Sequence, residues 1–294
     1  MSRVLVVGGR GQVARALAGA GWPEGISLSC CGRDEIDLAQ PKSVAGEVAR
    51  RTPDLVVNAA AYTAVDRAES EPEAAFAVNR DGPAALAEVC AELGVPLIHL
   101  STDYVFDGCK DGAYVEDDPV NPLSVYGASK EAGERAVRGI LSAHVILRSA
   151  WIYAPEGKNF VRTMLRLARE SPEIRVIADQ RGCPTAASEV ARAIVAASGR
   201  LLAGSGEFGT FHFCGTGSTS WHGFAQAIFQ LSQGPQPKLI AIPTSAYPAP
   251  ARRPANSVLD GAKFRQLYGV AARPWRESLA GCVAEIATRE TTTA

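Results

Sequence analysis

The chain has 294 residues, of which 47% are hydrophobic and 21% are charged, and its formal net charge is -1. This composition is typical of a soluble globular protein and excludes a strongly basic surface that would favour nucleic acid or an anionic membrane. No stretch approaches the roughly 20 apolar residues that cross a bilayer. The seven cysteines and four histidines show no metal-site spacing. We therefore expect a cytoplasmic protein without a transition-metal centre.

Short apolar runs alternate with helical patterns through the first half of the chain. The apolar runs lie at 4–7, 26–31, 54–60, 96–101 and 144–149, and the helical patterns lie at 12–20, 42–51, 73–93 and 128–139. Strands that alternate with helices form a parallel sheet, because each crossover needs a covering helix. Continuous apolar runs are typical of strands that are buried on both faces. The pattern predicts a Rossmann-type, doubly wound parallel sheet.

After residue 150 the pattern is less regular. Helices are predicted at 160–170, 187–198 and 220–231, strands at 174–177 and 209–214, and a proline-rich loop at 243–256. We expect an NAD(P)-binding Rossmann domain over residues 1–150 and a smaller, interleaved α/β substrate-binding lobe over residues 151–294. Elements between about 174 and 235 are expected to return partly to the first domain.

The first predicted strand leads into a glycine-rich turn. Gly8, Gly11 and Ala14 follow a G-x-x-G-x-x-A spacing, and Gln12 and Val13 begin the predicted helix. Such a turn lets the backbone approach a pyrophosphate, and the helix N-terminus then offers free N–H groups to the phosphates. A glycine-rich turn of purely structural use is the alternative, but the strand before it and the helix after it favour a dinucleotide site.

The end of the second predicted strand bears on the choice between the two nicotinamide cofactors. An arginine there suits the 2'-phosphate of NADP, whereas an acidic residue binds the ribose hydroxyls of NAD. Arg33 comes first in this chain, and Asp34 and Glu35 follow it directly. We therefore expect NADPH, and the two acids leave NADH open.

Two further segments are predicted to lie against the cofactor. Asp37 and Leu38 are expected to flank the adenine, and Ala59, Ala60, Ala61 and Tyr62 end the third run where the backbone passes close to the nucleotide. Close packing of helix on sheet is the alternative explanation for the small residues.

A candidate catalytic group follows the fourth predicted strand. Thr102 ends that strand, and Tyr126 and Lys130 stand four residues apart in a predicted helix, so that both side chains lie on one face. A neighbouring ammonium stabilises a phenolate and lowers its pKa, which would let Tyr126 act as an acid near neutral pH. Thr102 can donate a hydrogen bond to a substrate oxygen. An ordinary surface pair of tyrosine and lysine is the alternative.

Several segments of the chain resemble the extended short-chain dehydrogenase/reductase superfamily and, within it, the dTDP-4-dehydrorhamnose reductase family. They are GQVARAL, VNAAAYTAVDRAESEPE, STDYVFDG, NPLSVYGASKEAGE, RSAWIYAPEGKNFVRTML, DQRGCPT and PTSAYPAPARRPANSVLD. These segments span nearly the whole chain, and the last three lie where members of the superfamily diverge according to substrate. The resemblance is therefore specific rather than confined to the fold.

The resemblance implies reduction of the 4-keto group of dTDP-4-dehydro-6-deoxy-L-mannose to dTDP-L-rhamnose, the last step of dTDP-rhamnose biosynthesis, with a hydride from NADPH or NADH. It makes Tyr126 the proton donor and Lys130 its partner. It also implies that Thr102 with Asp103, Trp151 and Arg253 contacts the nucleotide-sugar. Arginine suits a diphosphate, although a solvated basic pair, Arg252 and Arg253, is the alternative.

The resemblance leaves the metal, the oligomeric state and two other functions open. Some members bind a magnesium ion between subunits through a glutamate in the first helix, where this chain has Ala16, although Glu189 is present. Magnesium and a homodimer are therefore unsettled. A non-catalytic regulatory subunit that binds NADP, and a nucleotide-sugar epimerase with the same tyrosine and lysine, are the alternative functions.

Overall fold

The structure, a computed structural model, describes residues 1–293. Its strands are β1 (Ser2–Val7), β2 (Ile26–Cys31), β3 (Leu55–Asn58), β4 (Leu97–Thr102), β5 (His144–Ser149), β6 (Ile152–Tyr153), β7 (Glu173–Ile177), β8 (Arg181–Gly182), β9 (Thr185–Ala186), β10 (Gly209–His212), β11 (Thr219–Ser220) and β12 (Lys238–Ile242). Its α-helices are α1 (Gln12–Ala18), α2 (Pro41–Arg51), α3 (Val65–Ala68), α4 (Pro72–Phe76), α5 (Gly82–Leu93), α6 (Val125–Ile140), α7 (Phe160–Glu170), α8 (Ala187–Leu202), α9 (Trp221–Leu231), α10 (Ala262–Tyr268) and α11 (Trp275–Thr293). Within residues 1–293, no helix combines the length and apolar character that a bilayer span requires.

Six parallel strands form the central sheet, in the order β10-β5-β4-β3-β1-β2. The five strands predicted from apolar runs are all present in it, and the predicted Rossmann-type sheet is confirmed. The chain runs outward from β1 to β2 and then returns to the other side of β1 to form β3. This reversal creates a crevice at the carboxyl edge of β1 and β3, which is where open α/β sheets bind ligands.

Helices cover both faces of the sheet and bury its apolar side chains. On one face α1 and α8 pack against the strands with residues such as Leu17 and Ile194. On the other face α2, α5 and α6 contribute Val44, Leu86 and Val137. Full burial of such a side chain stabilises the fold by about 1.5–3 kcal/mol. Both faces are thus closed, and ligands have access at the edges of the sheet.

A second lobe lies outside the central sheet. The predicted strand at 174–177 is present as β7, but it pairs with β12 in a separate two-stranded parallel sheet rather than with the main one. Around this pair α7, α9 and α11 bury an aromatic core that includes Tyr153, Phe224 and Trp275. The apolar pattern did not predict β12, α10 or α11, so much of this lobe became visible only in the structure.

Two of the predicted helices differ from the observed ones in ways that bear on the site: one begins earlier than predicted, and the other is interrupted. The helix predicted from residue 128 begins at Val125, because the Ser124 hydroxyl caps it by accepting a hydrogen bond from the Gly127 N–H at 3.2 Å. The helix predicted over 73–93 is divided by a π-helical turn, Ala77–Asp81. This wider turn holds the buried Asn79, whose side chain contacts the loop after β3.

Candidate functional site

A cavity of about 530 Å³ lies at the crevice between β1 and β3. It is lined by all of the residues predicted to bind the cofactor: Gly8, Gly11, Gln12, Val13, Arg33, Asp37, Leu38, Ala59, Ala60, Ala61, Tyr62, Tyr126 and Lys130. These residues come from segments up to about 120 positions apart, and the sheet reversal brings them together. The cavity therefore has the size and position of a ligand site in this fold.

The glycine turn after β1 allows a close backbone approach at the floor of this cavity. Gly8 has a φ of +97°, and a Cβ built on it would lie 2.7 Å from the Ala60 nitrogen. Only glycine fits such a position without strain. The small residues after β3 thus pack directly under the turn, which accounts for both the glycine and the alanines.

Basic side chains line the end of the cavity near β2. The Arg33 side chain is 77% exposed and lies 3.3 Å from the Asp37 carboxylate. The two acids next to it are engaged elsewhere: Asp34 pairs with Arg10 at 3.0 Å, and Glu35 accepts a hydrogen bond from the Gly32 N–H at 3.0 Å. Arg33 is therefore the residue at this strand end that stays available to a ligand phosphate.

The hydroxyls of Thr102 and Tyr126 meet beside the cavity, at the carboxyl end of β4. Burial raises the pKa of Tyr126 to about 12; the neighbouring Thr102 hydroxyl lowers it, and the charge of Asp103 raises it. The Thr102 hydroxyl also lies 3.1 Å from the Asp103 carboxylate and accepts from the Tyr104 N–H at 3.2 Å. Tyr126 is consequently a protonated phenol at neutral pH, as a proton donor must be.

Lys130 occupies the inner wall of the same cavity and is only 2% exposed. Its Nζ donates to the Leu100 carbonyl at 2.6 Å. Burial lowers the pKa of Lys130 to about 8, although the nearby Glu134 charge opposes that shift. The expected lowering of the Tyr126 pKa by the Lys130 ammonium is thus not seen: burial of the phenol raises that pKa, Lys130 is not among the groups that shift it, and Nζ is bonded to the backbone.

Asp103 is 2% exposed and follows Thr102 directly at the end of β4. Burial raises the pKa of its carboxyl to about 7, in spite of the hydrogen bond from the Thr102 hydroxyl at 3.1 Å, and no described residue bonds its Oδ2. A carboxyl in this state changes its charge near neutral pH and can either donate or accept a hydrogen bond. It lies beside the Thr102 hydroxyl, 3.1 Å away.

The remaining predicted substrate residues, Trp151 and Arg253, do not line the nucleotide cavity. Trp151 has a φ of +46°, which is rare for a bulky residue, and its ring stacks on Trp221 with centroids 3.4 Å apart. Arg253 donates to Asp66 at 2.7 Å and lines a separate cavity of about 400 Å³ beside the proline-rich loop. Arg253 nevertheless lies near Tyr126. Burial raises the pKa of Tyr104 and the Arg253 charge lowers it, and the Tyr104 ring lies 5.8 Å from the Tyr126 ring.

Three residues of the site were missed by the sequence reasoning. Arg10 and Lys158 line the nucleotide cavity and add positive charge to it. Asn79 donates to the Ser129 hydroxyl at 2.9 Å and bonds the backbone of Tyr62, so that it ties α6 to the loop beneath the cofactor cavity. Arg10 lies inside the glycine turn, so its basic side chain could have been identified from the sequence as part of the site. The partners of Asn79 depend on the π turn, which no local pattern indicated.

Comparison with known proteins gives a consistent family assignment. Residues 2–288 match the family described as RmlD substrate binding domain. A dTDP-4-dehydrorhamnose reductase from Sinorhizobium fredii is 47% identical over 94% of this chain and 95% of its own length. The crystal structure of dTDP-4-dehydrorhamnose reductase from Bacillus anthracis in complex with NADP is 33% identical, covers 97% of this chain and 100% of its own, and has a TM-score of 0.91. A Clostridium acetobutylicum dTDP-4-dehydrorhamnose reductase structure has the same identity and TM-score over 97% of this chain and 99% of its own.

The chain belongs to the dTDP-4-dehydrorhamnose reductase family. Membership in this reductase family accounts for a nucleotide cavity with a tyrosine and a lysine in its wall at one edge of the sheet.

The sequence resemblance to this reductase family left open a bound magnesium ion, but the residues around Glu189 do not fit one. The carboxylate is 1% exposed and already bonds the guanidinium groups of Arg192 at 2.6 Å and Arg273 at 2.7 Å. Burial opposes its charge, but these hydrogen bonds bring the net pKa of Glu189 below its ordinary value. Ala16 supplies no oxygen ligand, whereas magnesium needs several. Arginine side chains neutralise Glu189 in place of a cation.

We therefore predict that removal of divalent cations leaves this reductase active. Initial rates measured with and without excess EDTA should agree within about twofold, since the residues around Glu189 do not fit a metal ion. Addition of magnesium to the EDTA-treated protein is the control. A large loss with EDTA that magnesium restores would contradict the prediction.

Proposed function

We propose that this protein reduces the 4-keto group of dTDP-4-dehydro-6-deoxy-L-mannose to give dTDP-L-rhamnose, with NADPH as the preferred hydride donor and NADH as the second. The observation that carries the proposal is the placement of Tyr126 and Lys130 in the wall of a dinucleotide cavity, with the Thr102 hydroxyl next to Tyr126, in a chain of this family. Residues 1–150 would hold the cofactor, and the lobe from residue 151 onward would cover the sugar nucleotide.

Two side chains, Tyr126 on α6 and Thr102 at the end of β4, would supply the proton and the hydrogen bond that the reduction requires. When bound, NADPH supplies the hydride that adds to the carbonyl carbon of the sugar. Tyr126 donates its phenol proton to the carbonyl oxygen as negative charge develops there. The Thr102 hydroxyl donates a second hydrogen bond to that oxygen and stabilises it. Because burial keeps Tyr126 protonated, the phenol begins each turnover in the form that reduction requires.

The sugar nucleotide would be held by residues on the far side of these hydroxyls. Asp103 is placed to bond a sugar hydroxyl, since its carboxyl follows Thr102 directly. Arg253 would exchange its ion pair with Asp66 for the diphosphate, which a guanidinium binds through two parallel hydrogen bonds. The stacked rings of Trp151 and Trp221 offer a flat apolar surface beside this path.

Arg33 is proposed to set the cofactor preference. We predict that Arg33→Ala weakens NADPH binding by about 10- to 100-fold, the usual value of a hydrogen bond to a charged group, and leaves NADH binding nearly unchanged. Isothermal titration with each cofactor measures both constants. Arg3→Ala, which removes an arginine that pairs with Asp54 near the N-terminus, is the matched control. Equal losses for the two cofactors would remove the assigned preference.

The proposed activity is tested by the stoichiometry of cofactor use. Purified protein with the dTDP-4-keto sugar should oxidise one NADPH for each sugar reduced, measured by absorbance and by chromatography of the sugar. A dTDP-sugar without a keto group is the control and should cause no oxidation. An epimerase would show no net change in NADPH, and a regulatory subunit would bind NADPH without oxidising it, so either result would overturn the proposal.

A further inference from the structure

A line of three buried polar side chains lies behind the cofactor cavity. Asn58 ends β3, His99 lies opposite it on β4 in the strand register, and Lys130 reaches them from α6. Their exposed fractions are 0%, 0% and 2%. The Asn58 Nδ2 lies 3.0 Å from the His99 Nδ1, and the His99 Nε2 lies 3.5 Å from the Lys130 Nζ. The three side chains therefore contact one another in sequence, and of the three only Lys130 reaches the cavity wall.

The hydrogen bonds of Asn58 decide which nitrogen of His99 carries its proton. The Asn58 Oδ1 accepts from the Ala60 N–H at 3.1 Å, so the amide nitrogen must face His99. An amide nitrogen only donates, and His99 Nδ1 must therefore accept. Burial, with the charges of Lys130 and His144, lowers the pKa of His99 well below its ordinary value, so the ring is neutral and holds one proton. That proton lies on Nε2, which faces Lys130.

An N–H aimed at the Lys130 Nζ favours one charge state of the lysine. An ammonium has three donors and no acceptor, whereas an uncharged amine offers a lone pair to the His99 N–H. The ammonium can still donate to the Leu100 carbonyl, 2.6 Å away, but it gains nothing from His99 and is repelled by the facing proton.

We propose that Asn58 and His99 are positioning residues that hold an N–H against Lys130 and so ease release of its proton, which returns to Tyr126 after each reduction. In this step the Tyr126 phenolate regains a proton across the cavity that Tyr126 and Lys130 both line, with the Lys130 ammonium as the source, which leaves a phenol and an uncharged amine. The amine then regains a proton from water through the cavity. The return step rests on the proposed reductase function, but the charge state of Lys130 does not.

The charged groups around Lys130 are consistent with easier release of its proton. On its own helix, Glu134 favours the ammonium, but its carboxylate is bonded by Arg148 from β5 at 2.7 Å and by Arg138 at 3.0 Å, which weakens its effect. His144, on β5, faces His99, and its own pKa is lowered by burial. Tyr126, one helical turn earlier on α6, lines the same cavity as Lys130. Burial lowers the pKa of Lys130 and raises that of Tyr126, and both shifts favour a proton on the phenol.

The decisive variants change Asn58 and leave Lys130 and His99 in place. Asn58→Asp keeps an oxygen for the Ala60 N–H and offers a second oxygen to His99, which moves the ring proton to Nδ1 and turns Nε2 into an acceptor. Asn58→Ala removes the donor to Nδ1 without adding charge, so the ring is free to make the same change. Both variants should then stabilise the Lys130 ammonium.

The charge state of Lys130 is measured by NMR titration of the free protein labelled with ¹³Cε-lysine. The chain has six lysines, and Lys130→Arg identifies the signal. In both variants the Lys130 titration should move upward by about one pH unit, the usual effect of a changed neighbouring hydrogen bond or charge. Asn121→Asp, which adds the same charge at an exposed site, should leave it unmoved. A shift with Asn58→Asp alone would indicate a plain charge effect and overturn the proposal, as would no shift in either variant.

Two further measurements keep the test decisive. If thermal unfolding shows that Asn58→Ala does not fold, His99→Gln replaces it. The glutamine amide can turn its carbonyl toward the Lys130 Nζ, so this variant should also move the Lys130 titration to higher pH. For the proton return, the alkaline fall in kcat should move to higher pH together with the NMR titration. An NMR shift without a shift of kcat would overturn the return step. A complete lack of turnover in the unaltered protein would contradict the reductase function and leave the NMR result to decide the role of Asn58 and His99.

Discussion

Tyr126→Phe is expected to lower kcat by about 10²- to 10⁴-fold, the usual contribution of a positioned general acid. The phenylalanine ring keeps the packing against Tyr104, whose ring contacts that of Tyr126 edge to face at 5.8 Å. Only the hydroxyl is lost, and with it the proton for the substrate oxygen. Steady-state kinetics with the dTDP-4-keto sugar and NADPH measure the effect.

Cofactor binding separates this loss of chemistry from damage to the site. The Tyr126→Phe protein should bind NADPH with an affinity within a few-fold of the unaltered protein, because a single neutral hydrogen bond contributes about 1 kcal/mol. Tyr268→Phe is the matched control, since that hydroxyl contacts the Glu207 carbonyl far from the cavity. Retention of most activity in Tyr126→Phe would show that another group delivers the proton.

Thr102→Val should lower kcat by about 10²- to 10³-fold, which is the usual cost of removing one donor to a developing oxyanion. Valine matches threonine in shape, so the end of β4 should keep its backbone. The change removes the hydroxyl that bonds Tyr126 and Asp103. Because that hydroxyl acts mainly on the transition state, kcat should fall much more than the KM for the sugar rises.

Thr102→Ser supplies the control for this second prediction. Serine keeps the hydroxyl and loses only a methyl group, and we expect its kcat to stay within about tenfold of the unaltered protein. Equal activities in the valine and serine variants would contradict a role for the hydroxyl. Equal losses in both would point instead to the packing of the Thr102 methyl group.

The part of the fold that could be predicted from sequence is the part whose signals are local. Four strands of the central sheet, β1, β3, β4 and β5, are largely buried and appear as continuous apolar runs, so β1 and β5 were recognisable without any knowledge of their partners. The second lobe could not be predicted in this way. β7 pairs with β12 across more than sixty residues, and nothing in either segment indicates that pairing.

The candidate site likewise has a part that local sequence signals predict and a part that they do not. Gly8, Tyr126 and Lys130 lie in short segments whose spacing carries chemical meaning, and the structure places them around one cavity. Asn58 and His99 were not singled out, because their contact depends on the register of β3 with β4. The pKa of Tyr126 was expected to fall under the charge of Lys130. The degree of burial, which raises it instead, is set by residues from several elements and is not readable from the spacing.

The measurement that tests the proposed reduction most directly is the transfer of deuterium from labelled cofactor to sugar. The protein is given the dTDP-4-keto sugar with NADPH that is dideuterated at the nicotinamide C4 position, and the nucleotide-sugar product is analysed by mass spectrometry and NMR. We predict a dTDP-6-deoxyhexose with one deuterium on its C4 carbon and an equal amount of NADP⁺. A sugar recovered without deuterium, with the cofactor bound but unchanged, would contradict the proposed reduction.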